Sequence, residues 1–346
     1  MPKILVTFPE ILETPQSVLF IAVSRIGDTL FATPAMRAVA ETWPHARITA
    51  LAHPNRAEVL FNNPFLDKTG SIEKRRAILM GRLGGKRYDL AVVYGHDKPL
   101  LRYALRIAKR VVAFRQDDPA INSRLYRAVT EAPPHHEHAV VAALRLTNAL
   151  GIQPSNRRIA YTVTEQERAA AQAFLHASGL GAAKPLIGLQ SASFPTKAFR
   201  NWPLASFAKL AQQVQSAWPE AGFALLGGPG DKENTTHLKN ILGNRAVDLA
   251  GQPIRLNSAI MSQLDAYVGV DTGPTHIMSS FDIPLVGLYH CLFPHAIYGP
   301  LDHPFDFSLD HPSLGQADCG KDTSMKEISV ETVFNRIKKA IAARTA

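Results

Sequence analysis

The sequence is poor in cysteine and contains no long apolar run. Cys291 and Cys319 are its only cysteines, and there is no CxxC pair, a usage typical of a reducing compartment that predicts neither a disulfide framework nor a structural metal. Apolar stretches such as VLFIAV and AYVGV are far shorter than the roughly 20 residues that cross a bilayer. The opening MPKILVTFPEILETP lacks the uninterrupted apolar core of a signal peptide. We therefore expect a cytoplasmic protein.

Several chemical motifs are also missing. The sequence has no GxxxxGK[ST], GxSxG or HExxH, and no two aspartates stand at the DxD spacing that usually holds a metal-bound sugar nucleotide. The HHEH run at 135–138 follows two prolines in a predicted loop and is more typical of solvated histidines than of a metal site. Bound phosphate must then be neutralised by protein groups, and we expect no metal and no cofactor.

What the sequence does contain is a regular alternation of strand and helix patterns. Short apolar runs precede helical segments in both halves of the chain: VLFIAV, RITALAH, YDLAVVYG and RVVAF, then PLIGLQS, GFALLGG, AYVGV and IPLVGLY. This alternation predicts an α/β fold with two Rossmann-like lobes, each built on a parallel sheet. Ligands of such sheets bind at the carboxyl ends of the strands, so we expect a central cleft between those ends.

The predicted lobes have different boundaries and contents. We place the N-terminal lobe at residues 1–155 and the C-terminal lobe at 156–328, because QPSNRR near the boundary is a polar, proline-containing link. An amphipathic helix over 329–346 follows, and we hypothesise that it packs back on the N-terminal lobe. The segment 291–324 is rich in Pro, His and Asp and has no predicted element.

The formal net charge of +9 originates in one part of the chain. Between Lys74 and Arg127 there are fourteen lysines and arginines against four aspartates. Within this part, four basic residues recur every four positions and predict a basic stripe on a helix: Lys98, Arg102, Arg106 and Arg110. The stripe is either a solvated face or a docking surface for an anionic partner, a membrane or an acidic acceptor. Nucleic acid is not expected, because no RRM, KH or zinc-finger signature is present.

The stretch SRIGDTLFATPAM, residues 24–36, follows the first predicted strand. Asp28 stands behind Gly27 at the predicted start of a helix. Aspartate is a strong N-cap residue, so one interpretation is that Asp28 only caps this helix. The other is that it faces the cleft as a general base, with Gly27 leaving room for the substrate.

The stretch VGVDTGPTH, residues 268–276, predicts a strand that ends directly before a helix. Asp271 and Thr272 are suited to capping that helix. Free N–H groups at a helix start bind phosphate well, and Thr275 and His276 add donors that a cap does not need. The alternative is a well-capped helix without a ligand.

Two further loops follow predicted strands. In LGGPGDKE, residues 226–233, the glycines let a ligand come close and Glu233 is suited to ribose hydroxyls, although a plain turn explains the pattern equally well. In SASFPTKAFRNWP, residues 191–203, Lys197 and Arg200 lie beside small hydroxyl residues. They are suited to neutralising a diphosphate, or they belong to a solvated loop.

Taken in order, these motifs resemble the heptosyltransferases of glycosyltransferase family 9, which extend the inner core of bacterial lipopolysaccharide. The resemblance covers residues 18 to 340 and rests on SRIGDTLFATPAMRAV, the NWP element, LLGGPGDKE, DLAGQPIRL and YVGVDTGPTHIMSSFDIPLVGLY. It implies a GT-B architecture and an inverting, metal-independent transfer from ADP-heptose to an inner-core sugar. It also implies that Asp28 is the catalytic base.

The same resemblance implies roles for the other residues. The donor diphosphate is bound by one cation, either Lys197 or Arg200. Ser193, Thr272 and Gly273 bind the same group. The donor sugar meets Asp271 and His276, or Asp271 orients its loop, and the nucleoside meets Gly228, Glu233 and Ile254. The acceptor meets Ser24, Arg25, Gly27, Lys98, Arg102 and Arg106. It is an anionic glycolipid reached by peripheral contact with the cytoplasmic face of the inner membrane.

Three other functions stay open on the sequence alone. One is the same transfer to a protein or to a different glycan. Another is a nucleotide-sugar epimerase or hydrolase, which needs no base on the acceptor side. The third is a non-catalytic binding module with the same fold.

Overall fold

A computed structural model describes residues 14–80 and 85–345 of the chain. The predicted lack of a signal peptide concerns the first residues and lies outside this description. The chain divides into two compact units between Thr162 and Val163, slightly later than the predicted boundary. No helix in the described ranges is both long and apolar enough to span a membrane.

The first unit is built on a parallel sheet of six strands in the order β3-β2-β1-β4-β5-β6. Its strands are β1 (Ser17–Ala22), β2 (Arg47–Ala52), β3 (Lys68–Ser71), β4 (Tyr88–Val93), β5 (Ala108–Phe114) and β6 (Arg127–Val129). Its helices are α1 (Ile26–Phe31), α2 (Thr33–Thr42), α3 (Lys74–Met80), α4 (Lys98–Ile107), α5 (Pro119–Asn122) and α6 (Ala139–Asn148). The central strand β1 is almost completely buried, which explains its continuous apolar sequence.

The second unit has a parallel sheet of six strands in the order β12-β11-β10-β7-β8-β9. Its strands are β7 (Leu186–Gln190), β8 (Gly222–Leu226), β9 (Ala246–Asp248), β10 (Ala266–Val270), β11 (Leu285–Tyr289) and β12 (Leu309–Asp310). Its helices are α7 (Glu165–Ala177), α8 (Leu204–Ala217), α9 (Lys232–Leu242), α10 (Ile254–Met261), α11 (Gly273–Met278), α12 (His295–Tyr298) and α13 (Val330–Thr345).

Both sheets have the same topology. Numbered within its own unit, each sheet has the strand order 3-2-1-4-5-6, which is that of the Rossmann fold. The prediction of an α/β fold with two Rossmann-like lobes is confirmed. In such sheets ligands bind outside the carboxyl ends of the strands where the strand order reverses, here β1 beside β4 and β7 beside β10.

The terminal helix α13 is part of the second unit. Its residues Val333, Ile337 and Ala340 are buried in one apolar cluster with Trp202 and with strands β10 and β11. The Trp202 indole also donates a hydrogen bond to the carbonyl of Ile328, 2.8 Å away, just before the helix. The apolar face of α13 is therefore buried within the second unit, and the hypothesis that the helix packs on the first unit stays a prediction.

The segment 291–324 is held by side chains more than by regular structure. It contains α12 and β12, and Cys291 forms a disulfide with Cys319. The buried rings of His290 and His311 accept backbone N–H groups at Nδ1 and lie 3.1 and 3.0 Å from the carbonyls of Thr323 and Ser324 at Nε2. The expectation that the two cysteines are unpaired, as is typical of a reducing compartment, is wrong, because their pairing depends on how the segment folds back on itself.

Reduction of the Cys291–Cys319 bond should lower the free energy of unfolding by about 3.5 kcal/mol, because it frees a loop with a separation of 28 residues in the unfolded chain. Urea unfolding with and without dithiothreitol measures the difference. The double variant Cys291→Ser/Cys319→Ser is the control and should not respond to the reductant. A wild-type protein that is equally stable in both conditions would contradict this prediction.

Candidate functional site

The candidate donor site lies where β7 and β10 end side by side. The loop after β7 contains a short 3₁₀ helix, Pro195–Arg200, and the loop after β10 leads into α11. The Arg200 guanidinium pairs with Oδ2 of Asp271, and Nε2 of His276 lies 3.2 Å from Oδ1 of the same carboxylate. The side chains of Arg200 and Asp271 are only 12% and 3% exposed. Asp271 therefore joins the two loops through a buried ion pair.

The start of α11 is not capped as the sequence predicts. Thr272 is the N-cap residue, yet its hydroxyl makes no capping hydrogen bond, and Asp271 uses its oxygens on Arg200 and His276. The Thr275 hydroxyl lies 2.6 Å from the carbonyl of Val270 and 2.8 Å from the Tyr267 hydroxyl, inside the core. The predicted caps are thus wrong, and Thr275 has no donor free for a ligand.

Four polar atoms at the carboxyl ends of β7, β10 and β11 are buried without a hydrogen-bond partner among the described residues. They are Oε1 of Gln190 and the hydroxyls of Ser191, Thr272 and Tyr289. Buried polar atoms are nearly always paired, because leaving one unpaired costs about 1–3 kcal/mol. Their concentration on three neighbouring strands indicates a site that a polar ligand completes.

The two cations of the β7 loop have different environments. Arg200 is held by Asp271, whereas no side-chain carboxylate in the described part of the chain pairs with Lys197. Nζ of Lys197 instead lies 4.8 Å from the ring centre of Phe293 and 5.9 Å from that of Phe199. Lys197 is therefore available to an anion, whereas Arg200 is held by Asp271 and its buried Nε has no hydrogen-bond partner among the described residues.

Ser193 has a structural position in the same loop. Its hydroxyl lies 2.8 Å from the carbonyl of Lys197 and 2.6 Å from Oδ1 of Asn201. A hydroxyl has a single proton, and here that proton is used within the loop. Ser193 therefore stabilises the loop that carries Lys197, and its contact with the diphosphate stays a prediction.

The residues predicted to meet the nucleoside follow β8 and β9 on the same edge of the sheet. The Gly228 N–H donates to Oδ2 of Asp231 at 2.8 Å, and a Cβ on Gly227 would lie 2.8 Å from Cβ of Asp231. The close approach of Asp231 explains the glycine at 227, and burial raises the pKa of Asp231. Glu233 is exposed in the first turn of α9, and Ile254 is half-buried at the start of α10.

In the first unit, Asp28 is the third residue of α1 and does not cap it. Arg25 occupies the N-cap position, and no side chain caps the helix start. The Asp28 carboxylate is exposed and accepts a hydrogen bond from the Ser24 hydroxyl at 2.7 Å, while Gly27 is buried. The capping interpretation of Asp28 is therefore wrong. The structure presents a carboxylate that Ser24 orients just beyond the end of β1.

The predicted basic stripe is shorter than the sequence suggests. Lys98 begins α4 beyond the end of β4, and its Nζ lies 3.8 Å from Oδ2 of Asp118. Arg102 and Arg106 are exposed on the outer face of α4, and Arg106 lies about 12 Å along the helix axis from Lys98. Only Lys98 is thus close to the carboxyl edge of the sheet.

Arg110 does not belong to this face. The helix ends at Ile107, and Arg110 lies on β5 with its guanidinium 5.4 Å from the ring centre of Tyr126. The four-residue spacing continues in the sequence, but the backbone changes from helix to strand. The stripe therefore consists of Lys98, Arg102 and Arg106.

Residues of the HHEH run stabilise the start of α6. The His138 ring accepts the Val140 N–H, and Glu137 forms an ion pair of 2.6 Å with Arg145. Within the described residues, no group of three or more His, Cys, Asp or Glu side chains is arranged to hold a metal ion.

Comparison with known proteins identifies the family. The profile of glycosyltransferase family 9 (heptosyltransferase) matches residues 76–307, about two thirds of the chain. The chain belongs to this family. It is a glycosyltransferase with the GT-B fold.

Individual family members are distant in sequence and similar in structure. The lipopolysaccharide core heptosyltransferase OpsX of Haemophilus influenzae is 21% identical over 96% of this chain and 99% of its own length. The glycosyltransferase of family 9 from Veillonella parvula has a TM-score of 0.78 at 20% identity and covers 95% of this chain and 97% of its own. The Escherichia coli ADP-heptose lipopolysaccharide heptosyltransferase II has a TM-score of 0.76 at 18% identity. The match covers 95% of this chain and 100% of that relative.

Arg200→Met should lower the free energy of unfolding by about 3–5 kcal/mol, because it leaves the buried Asp271 charge without its partner. Lys197→Met is the matched control: it removes a cation from the same 3₁₀ helix without breaking an ion pair, and should cost less than about 1 kcal/mol. Urea unfolding of both variants measures the difference. Equal losses of stability would show that the ion pair does not hold the two loops together.

Proposed function

We propose that this protein transfers heptose from ADP-heptose to a sugar of the lipopolysaccharide inner core, by an inverting displacement that needs no metal. The observation that carries the proposal is the available Lys197 cation beside unpartnered polar atoms at the ends of β7, β10 and β11. Family membership supports the reaction class, and the names of OpsX and of heptosyltransferase II supply the acceptor and donor classes by analogy.

On the donor side, Lys197 neutralises the diphosphate. The hydroxyls of Ser191 and Thr272 have no internal partner in the described residues, and we assign them to phosphate oxygens together with the Gly273 N–H. Negative charge accumulates on the departing ADP as the bond to the anomeric carbon breaks. Groups already fixed around that charge stabilise the transition state without reorganisation.

Asp271 and His276 hold the donor loop in this proposal. Both side chains are more than nine-tenths buried, and the Asp271 oxygens already face Arg200 and His276. Their energetic role is to keep Thr272 and Gly273 in place for the diphosphate. We assign nucleoside binding to Gly228, Glu233 and Ile254, which follow the neighbouring strands β8 and β9.

On the acceptor side, Asp28 acts as the general base. A sugar hydroxyl is too weakly acidic to ionise at neutral pH, so it must lose its proton while it attacks the anomeric carbon. Asp28 takes that proton, the new glycosidic bond forms, and the bond to the ADP oxygen breaks. Attack from the face opposite ADP inverts the anomeric centre. The Ser24 hydroxyl orients the carboxylate, and Arg25, Gly27 and Lys98 adjoin the acceptor.

Asp28→Asn should lower kcat at least about a hundredfold, because a positioned base contributes about 10²–10⁴ in rate. Asparagine keeps the shape and still accepts from Ser24, so the melting temperature and ADP affinity should stay the same. Steady-state kinetics with ADP-heptose and a truncated core glycolipid measure kcat, and EDTA should leave the wild-type rate unchanged. An active Asn variant would place the base elsewhere, and activity lost in EDTA and restored by Mg²⁺ would refute the metal-free mechanism.

We also propose that the outer faces of α3 and α4 contact the anionic membrane that carries the acceptor. Ala77 of α3 packs in one apolar cluster with Leu101 of α4, so the two helices are neighbours. Their outer faces carry exposed basic side chains: Arg75, Arg76, Arg102 and Arg106. Ile78 and Leu79 of α3 are 49% and 61% exposed. Exposed apolar side chains among basic ones fit the interface of an anionic bilayer.

Arg102→Glu/Arg106→Glu should weaken binding to vesicles of phosphatidylglycerol and phosphatidylcholine at least about tenfold near 0.1 M salt, because each basic residue contributes about 1 kcal/mol at such a surface. The effect should vanish near 1 M salt, where charges are screened within about 3 Å. Lys209→Glu/Lys326→Glu, with the same change in net charge on exposed residues of the second unit, is the control in the flotation assay. Equal losses of vesicle binding in both variants would show that binding depends on net charge alone and not on the outer faces of α3 and α4.

A further inference from the structure

Phe293 lies in the segment 291–324, to which the proposed function assigns no role. Its ring centre is 4.8 Å from Nζ of Lys197 and 4.9 Å from Cζ of Arg200. Both distances are within the range in which the negative face of an aromatic ring attracts a cation. A second ring, that of Phe199, lies 6.0 Å from Phe293 and 5.9 Å from the Lys197 ammonium.

The backbone around Phe293 is fixed from several directions. Its N–H donates to the carbonyl of His290 at 2.7 Å, and the His290 ring is buried and contacts the Phe199 ring at 5.1 Å. Cys291, between them, is bonded to Cys319. Phe293 is therefore held on a closed turn, and its ring is a fixed surface against which a flexible side chain can rest.

An aromatic ring suits this position better than a carboxylate. A lysine side chain has many rotamers, and fixing it at the moment of binding costs conformational entropy. A carboxylate would fix the ammonium but would also neutralise it and repel a diphosphate. The face of a ring holds the ammonium and leaves its charge available, so the entropy is lost before the ligand arrives.

We propose that Phe293 is a positioning residue that holds the Lys197 ammonium in place for the donor diphosphate. The proposal rests on the proposed function, because it requires Lys197 to meet that diphosphate. Arg200 shares the same ring, but its ion pair with Asp271 fixes it without the ring, so we assign the effect of Phe293 on ligand binding to Lys197.

Titration calorimetry with ADP on five proteins tests this proposal: the wild type, Lys197→Met, Phe293→Leu, Phe293→Tyr and the double variant Lys197→Met/Phe293→Leu. Phe293→Leu should weaken ADP binding about tenfold, because it keeps an apolar side chain but removes the ring face. Phe293→Tyr should stay within about twofold of the wild type, because a tyrosine ring attracts cations in the same way. In the Lys197→Met background, Phe293→Leu should have no further effect.

Adenosine, which lacks the diphosphate, is the control ligand and should bind the wild type and Phe293→Leu equally. Unchanged ADP affinity in Lys197→Met would refute the diphosphate role of Lys197 and with it the donor half of the proposed function. If Lys197→Met weakens ADP binding but Phe293→Leu does not, the proposed function stands and the positioning role is wrong. An equal loss from Phe293→Leu in both lysine backgrounds, or a loss of adenosine binding, would mean that the ring contacts the nucleotide itself. Failure of Phe293→Tyr to bind ADP would also overturn the proposal.

Discussion

The buried ion pair between Arg200 and Asp271 is the interaction on which the candidate donor site depends. It joins the loop after β7 to the loop after β10, and these strands are neighbours where the order of the second sheet reverses. A charge as deeply buried as Asp271 requires a partner, so the two loops cannot separate without a large cost in free energy. The fixed loops keep Lys197 and Thr272 on one edge of the sheet. Arg200 is thereby held by Asp271, and for this reason we propose Lys197 rather than Arg200 as the cation that binds the diphosphate.

Two aspartates that both follow central strands have opposite environments. Asp271 is buried and faces an arginine and a histidine, whereas Asp28 is exposed and accepts only the Ser24 hydroxyl among the described residues. A buried, paired carboxylate is suited to holding structure. An exposed one with a single neutral donor is free to accept a proton from a substrate. The division of roles that we propose follows from this difference in environment.

Family membership establishes a glycosyltransferase, and features of this chain add detail to that class. The segment 291–324 has little regular structure, yet its Phe293 contacts both cations of the β7 loop, and His290, directly before the segment, contacts Phe199 of the same loop. The outer faces of α3 and α4 concentrate exposed basic and apolar side chains in the first unit. In our proposal the two features concern different substrates: we assign the first to the donor and the second to the surface that carries the acceptor.

The sequence by itself determined the fold class, because buried parallel strands need continuous apolar runs and the helices between them need an apolar stripe. It also located the loops that carry chemistry, since glycines, prolines and polar clusters mark the ends of strands. It did not determine which side chains pair across those loops. The Arg200–Asp271 ion pair, the helix position of Asp28, the end of α4 before Arg110 and the contact of Phe293 with Lys197 were decided by tertiary structure. Each depends on segments distant in the chain or on a backbone change that residue spacing does not encode, and only the folded sheet brings those segments to one edge.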